Sequence, residues 1–391
     1  METLLHPPAL GDYRDRKRYA WMLSLFVPAT IAAGPLLYYA IPDPRILWVP
    51  VVVSYILFPI LDLGLGRDPS NPPEEFVPAL EADGYYRHVT YALVPLLWIG
   101  FIFGIWFFTS HNLPLHAQVA GVITTGMIGG YGINLGHELG HKRPELERRL
   151  AKCILAMTGY GHFYIEHNRG HHRDVATPAD PASSRMGENL YRFLLREMPG
   201  AFVRAWRLEK DRLAREGRSP WTLRNEVLQP MLLTAVFFAA MTAWLGLHAL
   251  PFILCTAFFS NFQLTLANYV EHYGLLRDRL PSGRYETCKP HHSWNSNQLF
   301  SNWALFHLQR HSDHHAHPLR RYQSLRHFED VPQLPCGYFG MFLVAQIPPL
   351  WFRIMDKRLV AAVGNDPDRI NFLPDKRDAL IRKYALRKTS T

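Results

Sequence analysis

Six apolar stretches, each long enough to cross a bilayer as a helix, dominate this 391-residue chain. They lie at 20–41, 46–66, 88–109, 117–136, 228–247 and 249–270. About 20 consecutive apolar residues in helical geometry match the ~30 Å hydrocarbon core. The third stretch, HVTYALVPLLWIGFIFGIWFFT, contains no Asp, Glu, Lys or Arg. The fourth carries Gly121, Gly126, Gly129, Gly130, Gly132 and Gly136, a composition that suits close helix packing in lipid. The first is too long for a signal-peptide core and has no clear cleavage site, so it reads as an anchor. A buried soluble helix accounts for one such stretch, not for six. The expected fold class is therefore all-α integral membrane, with six transmembrane helices and a cytoplasmic helical domain.

Charge placement orients these spans. With the N-terminus in the cytoplasm, alternation leaves one basic residue outside, Arg45, and the other 41 of the 42 Lys and Arg inside. This is the positive-inside pattern. The connector 67–87 runs against it, with Asp68, Glu74, Glu75, Glu81 and Asp83. The outer turns at 110–116 and 248 are very short, so spans 3–4 and 5–6 read as helical hairpins. Residues 1–136 then hold spans 1–4 behind a cytoplasmic N-terminal segment, and 137–227 form a first cytoplasmic segment. Residues 228–271 hold spans 5 and 6, and 272–391 form a cytoplasmic C-terminal segment. Both termini are expected in the cytoplasm, in a multi-pass protein of a bacterial inner membrane. A further apolar stretch, 337–352, is short and contains Pro348-Pro349. It is expected to lie in the interface or to pack against the domain.

Composition removes other classes. Hydrophobic residues make up 48%, aromatics 13% and charged residues only 19%, which excludes a disordered or low-complexity chain. The four cysteines, Cys153, Cys255, Cys288 and Cys336, are far apart with no C-x-x-C. That excludes a disulfide framework, a zinc ribbon and a thiolate-held iron–sulfur site. The net charge of +9 could suggest nucleic acid, but the spans argue against it.

Nine of the 20 histidines form a pattern. NLGHELGHK closes span 4 with His137 and His141; EHNRGHH supplies His167, His171 and His172; NYVEHYG closes span 6 with His272; LQRHSDHH supplies His311, His314 and His315. Residues i and i+4 share a helix face, so His137 with His141, His167 with His171, and His311 with His315 should each project together. Adjacent residues point about 100° apart. The doublets 171–172 and 314–315 therefore serve two ions more readily than one, which suggests a dimetal site. Spans 4 and 6 both end at the inner face, so four separated segments converge there. Nine imidazoles exceed what two zinc ions normally take, whereas two iron ions with five or six positions use them and leave room for O2. Glu138, Glu166, Glu271, Asp313, Asn134 and Asn268 lie beside these histidines and are candidates to receive their second ring N–H. The other 11 histidines are expected in packing or surface roles.

The H-x3-H, H-x3-HH and H-x2-HH set is similar to the histidine boxes of integral-membrane diiron desaturases and hydroxylases. In detail, NLGHELGHK, EHNRGHH, NYVEHYGLLR and LQRHSDHHAHP resemble the membrane alkane 1-monooxygenases, over nearly the whole chain. The resemblance implies a non-haem diiron enzyme that hydroxylates the terminal methyl of medium- or long-chain n-alkanes to 1-alkanols, with O2 as co-substrate. It also implies electrons from NADH through a reductase and rubredoxin, which is a separate protein or is fused beyond residue 391.

A linear alkane has no polar handle, so its binding rests on apolar burial at ~0.8 kcal/mol per CH2. Selection by length must then be steric. Trp48, Tyr55, Phe58, Trp98 and Phe101 are candidates to line such a channel, with Tyr55 first. The closest alternative activity is a membrane fatty-acyl desaturase or related hydroxylase. HELGH read alone is also the H-E-x-x-H of zinc proteases, with Glu138 as general base, but that leaves six patterned histidines without a role.

Overall fold

The computed structural model describes residues 14–68 and 70–387. Among them the regular structure is helical, apart from isolated bridges such as Met186 with Phe372 and Leu275 with Ile370. The helices used below are α1 (Leu23–Ala40), α2 (Pro44–Leu65), α3 (Gly84–Ser110), α4 (Leu115–Gly140), α5 (Glu145–Ala156), α6 (163–174), α7 (Leu190–Arg215), α8 (Leu228–Leu245) and α9 (Ala249–Glu271). Beyond them lie α10 (His311–Ala316), α11 (Tyr338–Ala345) and α12 (Pro348–Ala362).

All six apolar stretches are helical. Among the described residues, four of these helices, α2, α3, α8 and α9, are both long and apolar enough to cross a membrane. Helix α4 differs for a physical reason. Its glycines, with Gln118, Thr124, Thr125 and Asn134, dilute its apolar character, and most of its second half is buried among other helices. Side chains surrounded by protein need not be lipid-soluble. Helix α1 is 18 residues long with Pro28 and Pro35 inside it.

Glycine sets the spacing of the bundle. A Cβ on Gly129 would overlap Ser260 Oγ of α9, and one on Gly136 would overlap the Leu155 side chain of α5. Helix α3 starts at Asp83, whose carboxylate accepts the Tyr85 N–H at 2.9 Å. The turn 111–114 joins α3 to α4 and the turn 246–248 joins α8 to α9, as expected for hairpins. These turns meet at one end, where His248 Nε2 lies 3.1 Å from the Thr109 carbonyl. The histidine segments lie at the other end.

Two helices contain a wider turn. In α2 the Phe58 N–H reaches the Val53 carbonyl, five residues back. Pro59, which follows, has no N–H to offer the carbonyl four residues back. In α6 the His172 N–H reaches the His167 carbonyl in the same way. Single π-turns of this kind re-aim the side chains around them.

The acidic connector 67–87 has partners in the C-terminal segment. Glu74 pairs with Arg320 at 2.5 Å and Arg326 at 3.0 Å, and Glu81 accepts the Arg321 N–H at 2.9 Å. Asp68 is buried against Lys17, His307 and Arg310. Burial opposes its ionisation, but these three neighbours hold its carboxyl well below the usual range. The stretch 337–352 folds as α11 and the start of α12, with Tyr338, Met341, Ala345 and Trp351 buried, while Ile347 and Leu350 between them stay exposed.

Candidate metal centre

Helix α4 delivers His137 and His141 from its last turn, α6 delivers His167, His171 and His172, and α10 delivers His311, His314 and His315. His272 caps the end of α9. Eight of the nine rings are buried and His172 is half-buried.

They form two groups. His137, His141, His167 and His314 place one nitrogen each within 4.8 Å of the others, and so do His171, His272, His311 and His315. His172 joins the first group, with its Nε2 3.1 Å from His167 Nε2 and 3.2 Å from His314 Nε2. The groups touch where the His172 and His315 ring centroids stand 4.5 Å apart. Both doublets are divided between the groups, as their spacing predicts. The pair His167 and His171 is divided too, against the i,i+4 expectation. The reason is the π-turn, which brings His172 rather than His171 back beneath His167.

These nitrogens suit cations. His314 Nε2 approaches His137 Nε2 at 3.0 Å as well as His172, and His311 Nε2 approaches His315 at 2.9 Å and His272 at 3.2 Å. A neutral imidazole has one N–H, so such convergent contacts cannot all be hydrogen bonds. His141 Nε2 and His171 Nε2 are buried without a hydrogen-bond partner. At His171 the tautomer follows from its surroundings: Nδ1–H donates to Asp180 at 2.9 Å, which leaves the Nε2 lone pair free.

In a third set, Glu286 with His291 and His292, the Glu286 carboxylate is already engaged by its neighbours. The Lys289 N–H donates to His292 Nδ1 at 2.9 Å, so the proton sits on Nε2, which faces Glu286 at 3.2 Å. The Lys289 ammonium covers the other carboxylate oxygen.

The candidates for the surrounding shell take varied positions. Glu271 lies 3.4 Å from His311 Nε2. Glu138 instead pairs with Lys142 at 3.1 Å and accepts the Tyr322 N–H at 3.3 Å. Glu166 pairs with Arg204, which also donates to Asp180 at 2.7 Å, so two residues stand between it and His171. Asp313 accepts from Arg320 at 3.0 Å and from the Arg326 N–H at 2.8 Å, holding the loop after α10. Asn134 donates to the Leu305 carbonyl at 3.1 Å, and Asn268 to Glu197 at 3.2 Å. Reading the sequence missed Asp180, Arg204 and Glu197. The available signals were a carboxylate eight residues after His172 and a Glu on the apolar side of α7. Burial pushes the Glu197 carboxyl up to about 7, against bonds from Thr265 and Asn268.

A cavity runs from the histidines between α2, α4 and α9. His137, His167, His311, Asn134, Asn268 and Glu271 line one end, and Tyr55, Gly130 and Gln263 line the other. Met127, Ile133, Leu264 and Phe339 form apolar wall. The Gln263 amide donates to the Tyr55 hydroxyl at 3.2 Å. Gln263 precedes Glu271 by eight residues, about 12 Å along a helix. The other four channel candidates lie elsewhere. Trp48 donates to His116 at 3.3 Å, Phe58 packs on Phe300 and Phe339, and Trp98 and Phe101 pack on Phe237.

Comparison with known proteins agrees with this arrangement. Residues 114–343 match the family described as fatty acid desaturase. Alkane 1-monooxygenase 1 of Alcanivorax borkumensis is 50% identical over 394 residues, covering 99% of this chain and 97% of that protein. The alkane 1-monooxygenase of Ectopseudomonas oleovorans is 49% identical over 374 residues, 95% and 93% of the two chains. That of Acinetobacter baylyi is 40% identical over 377 residues, 95% and 92%. This histidine-rich membrane protein belongs to the alkane 1-monooxygenases and to the fatty acid desaturase family.

Proposed function

We propose that the chain hydroxylates the terminal methyl of n-alkanes: R–CH3, O2, two electrons and two protons give R–CH2OH and water. The observation that carries this reading is the cavity, which is apolar along its length and meets both histidine groups at one end. In this reading the nine histidines hold two iron ions, five on one and four on the other, and the irons supply O2 activation. The chain's own residues do the rest. Met127, Ile133, Leu264 and Phe339 bind the alkane by apolar burial and exclude water. In this reading the chain enters end-on, so the methyl leads toward His137 and His311. Asp180 holds His171 in the tautomer that presents Nε2.

Rubredoxin is the proposed electron donor, itself reduced by its reductase. Basic residues on the cytoplasmic side favour weak docking of an acidic partner. The proposed setting is the inner membrane with both termini in the cytoplasm, supported by the charge bias of the connectors. The protease reading of HELGH has no geometric support, because a general base must face the metal site and Glu138 faces Lys142 and Tyr322.

The test is product analysis of the purified protein with rubredoxin, its reductase, NADH and n-alkanes. The expected product is 1-alkanol. A double bond introduced into an acyl chain, with no alkanol from alkanes, would identify a desaturase instead. Tyr55 closes the far end in this reading. At about 1.25 Å per carbon for an extended chain, from ordinary bond geometry, Tyr55→Ala should lengthen the accepted range by several carbons with 1-alkanol still formed. An unchanged length profile would remove Tyr55 from the channel.

A further inference from the structure

Helix α7 lies between two different surroundings. Phe193, Glu197, Ala201 and Ala205, four residues apart, are buried against the body of the protein. On another side Tyr191, Leu195 and Phe202 are exposed, Leu195 at 77%. With half-buried Trp206 they occupy positions i, i+4, i+11 and i+15, which fall within about 60° of arc at 100° per residue. Next to this stripe stand the exposed Arg207 and Lys210, and Arg192, which pairs with Asp375 at 3.2 Å.

The stripe continues past both ends of the helix. Trp221, 74% exposed, packs on Trp206 with ring centroids 5.0 Å apart, and Leu223 is exposed beside it. The chain then enters α8, whose Leu232, Leu233 and Val236 point outward. At the other end the Tyr191 hydroxyl donates to the Gln346 carbonyl at 2.9 Å, next to exposed Ile347 and Leu350. A soluble surface rarely leaves an apolar band of this extent open.

We propose that α7 and the 219–225 loop form a surface seated in the bilayer interface. The apolar stripe enters the acyl boundary, Trp206 and Trp221 sit at headgroup level, and Arg207 and Lys210 reach the phosphates. Two observations select lipid as the occupant. The band is continuous with the outward face of α8, which is long and apolar enough to cross a membrane. The basic residues flank the stripe along one side, as an interfacial helix requires. The bilayer thus fixes the helix whose inner face carries Arg204, bonded to Asp180 behind His171, and Glu197, bonded to Asn268 on the cavity. The inference rests on the membrane setting and not on the chemistry at the histidines.

The test reads position rather than activity. Single nitroxide labels go on Leu195→Cys, Phe202→Cys, Arg207→Cys and Lys210→Cys, in the full chain with its four native cysteines replaced. The protein is held in nanodiscs of phosphatidylcholine and phosphatidylglycerol. Collisions with O2 should exceed those with a water-soluble nickel chelate at 195 and 202, and the order should reverse at 207 and 210. Nickel-dominated collisions at 195 and 202 overturn the proposal, including the case in which a protein partner covers the stripe in the cell. Should the cysteine-free chain fail to fold, the wild type and Trp221→Phe are compared in nanodiscs of brominated phosphatidylcholine. The fluorescence lost on substitution should be the strongly quenched part of the signal. Unquenched Trp221 emission contradicts the proposal.

Discussion

Neighbouring histidines do opposite work. His171 and His172 turn to different groups, and so do His314 and His315, which turns nine rings into two adjacent sites rather than one crowded one. Replacing any of the nine by Ala should abolish alkane hydroxylation, whereas His116→Ala and His248→Ala, at the opposite end of the bundle, should leave turnover intact. An assay of the eleven variants checks both halves. Asp180 is the carboxylate that reaches His171 directly. Asp180→Asn should lower metal retention or turnover by roughly 10–100-fold, typical for the loss of a partner behind a ligand. Wild-type metal content and rate in that variant would show that the bond does not orient the ring. The histidines were legible because their spacing is local. Asp180 and Arg204 were not, because bonds from α7 to the loop after α6, and from that loop back to His171, are made by the fold and leave no periodic mark. The channel residues were legible only in part. Tyr55 and Phe58 are both bulky and close in sequence, and rotation about α2 decides which one meets the cavity.

At the scale of elements, α4 organises the molecule through what it lacks. Its glycines let α9 and α5 approach until side chains touch its backbone, and that approach brings the ends carrying His137, His141 and His272 together. Gly129→Leu should therefore lower the thermal unfolding temperature in detergent and reduce metal content. Overpacking alone costs about 1–3 kcal/mol, and here the intruding atoms meet Ser260 and Thr158. Gly64→Ala is the control, since nothing lies within 4 Å of the added carbon. Equal melting of the two variants would contradict the role given to α4. The glycine run was readable as a packing signal from the sequence. The π-turn in α6 was not: H-x3-H reads as one turn of α-helix, and only the backbone shows that His172, five residues on, rather than His171, four on, brings its Nε2 to that of His167.

On the whole-molecule scale, length, apolarity and charge placement already implied a membrane protein with its chemistry at one end. What they left unexplained was the acidic connector, which weakened the charge bias. The fold accounts for it: Glu74, Glu81 and Asp68 fasten the C-terminal arginines, so these carboxylates belong to the clamp around α10 rather than to a surface facing outward. Epitope tags inserted at 113 and 247 should then be reachable by antibody in spheroplasts, while a tag after residue 391 should require permeabilised membranes. The central claim is that nine histidines hold two irons. It is tested most directly by iron analysis and Mössbauer spectroscopy of protein purified from cells grown with the isotope 57Fe, alongside turnover after chelation. Two irons per chain, in two nitrogen-rich environments, with activity lost on chelation and restored by ferrous iron, is the predicted result. A single zinc per chain, with hydroxylation surviving iron chelation, would contradict it.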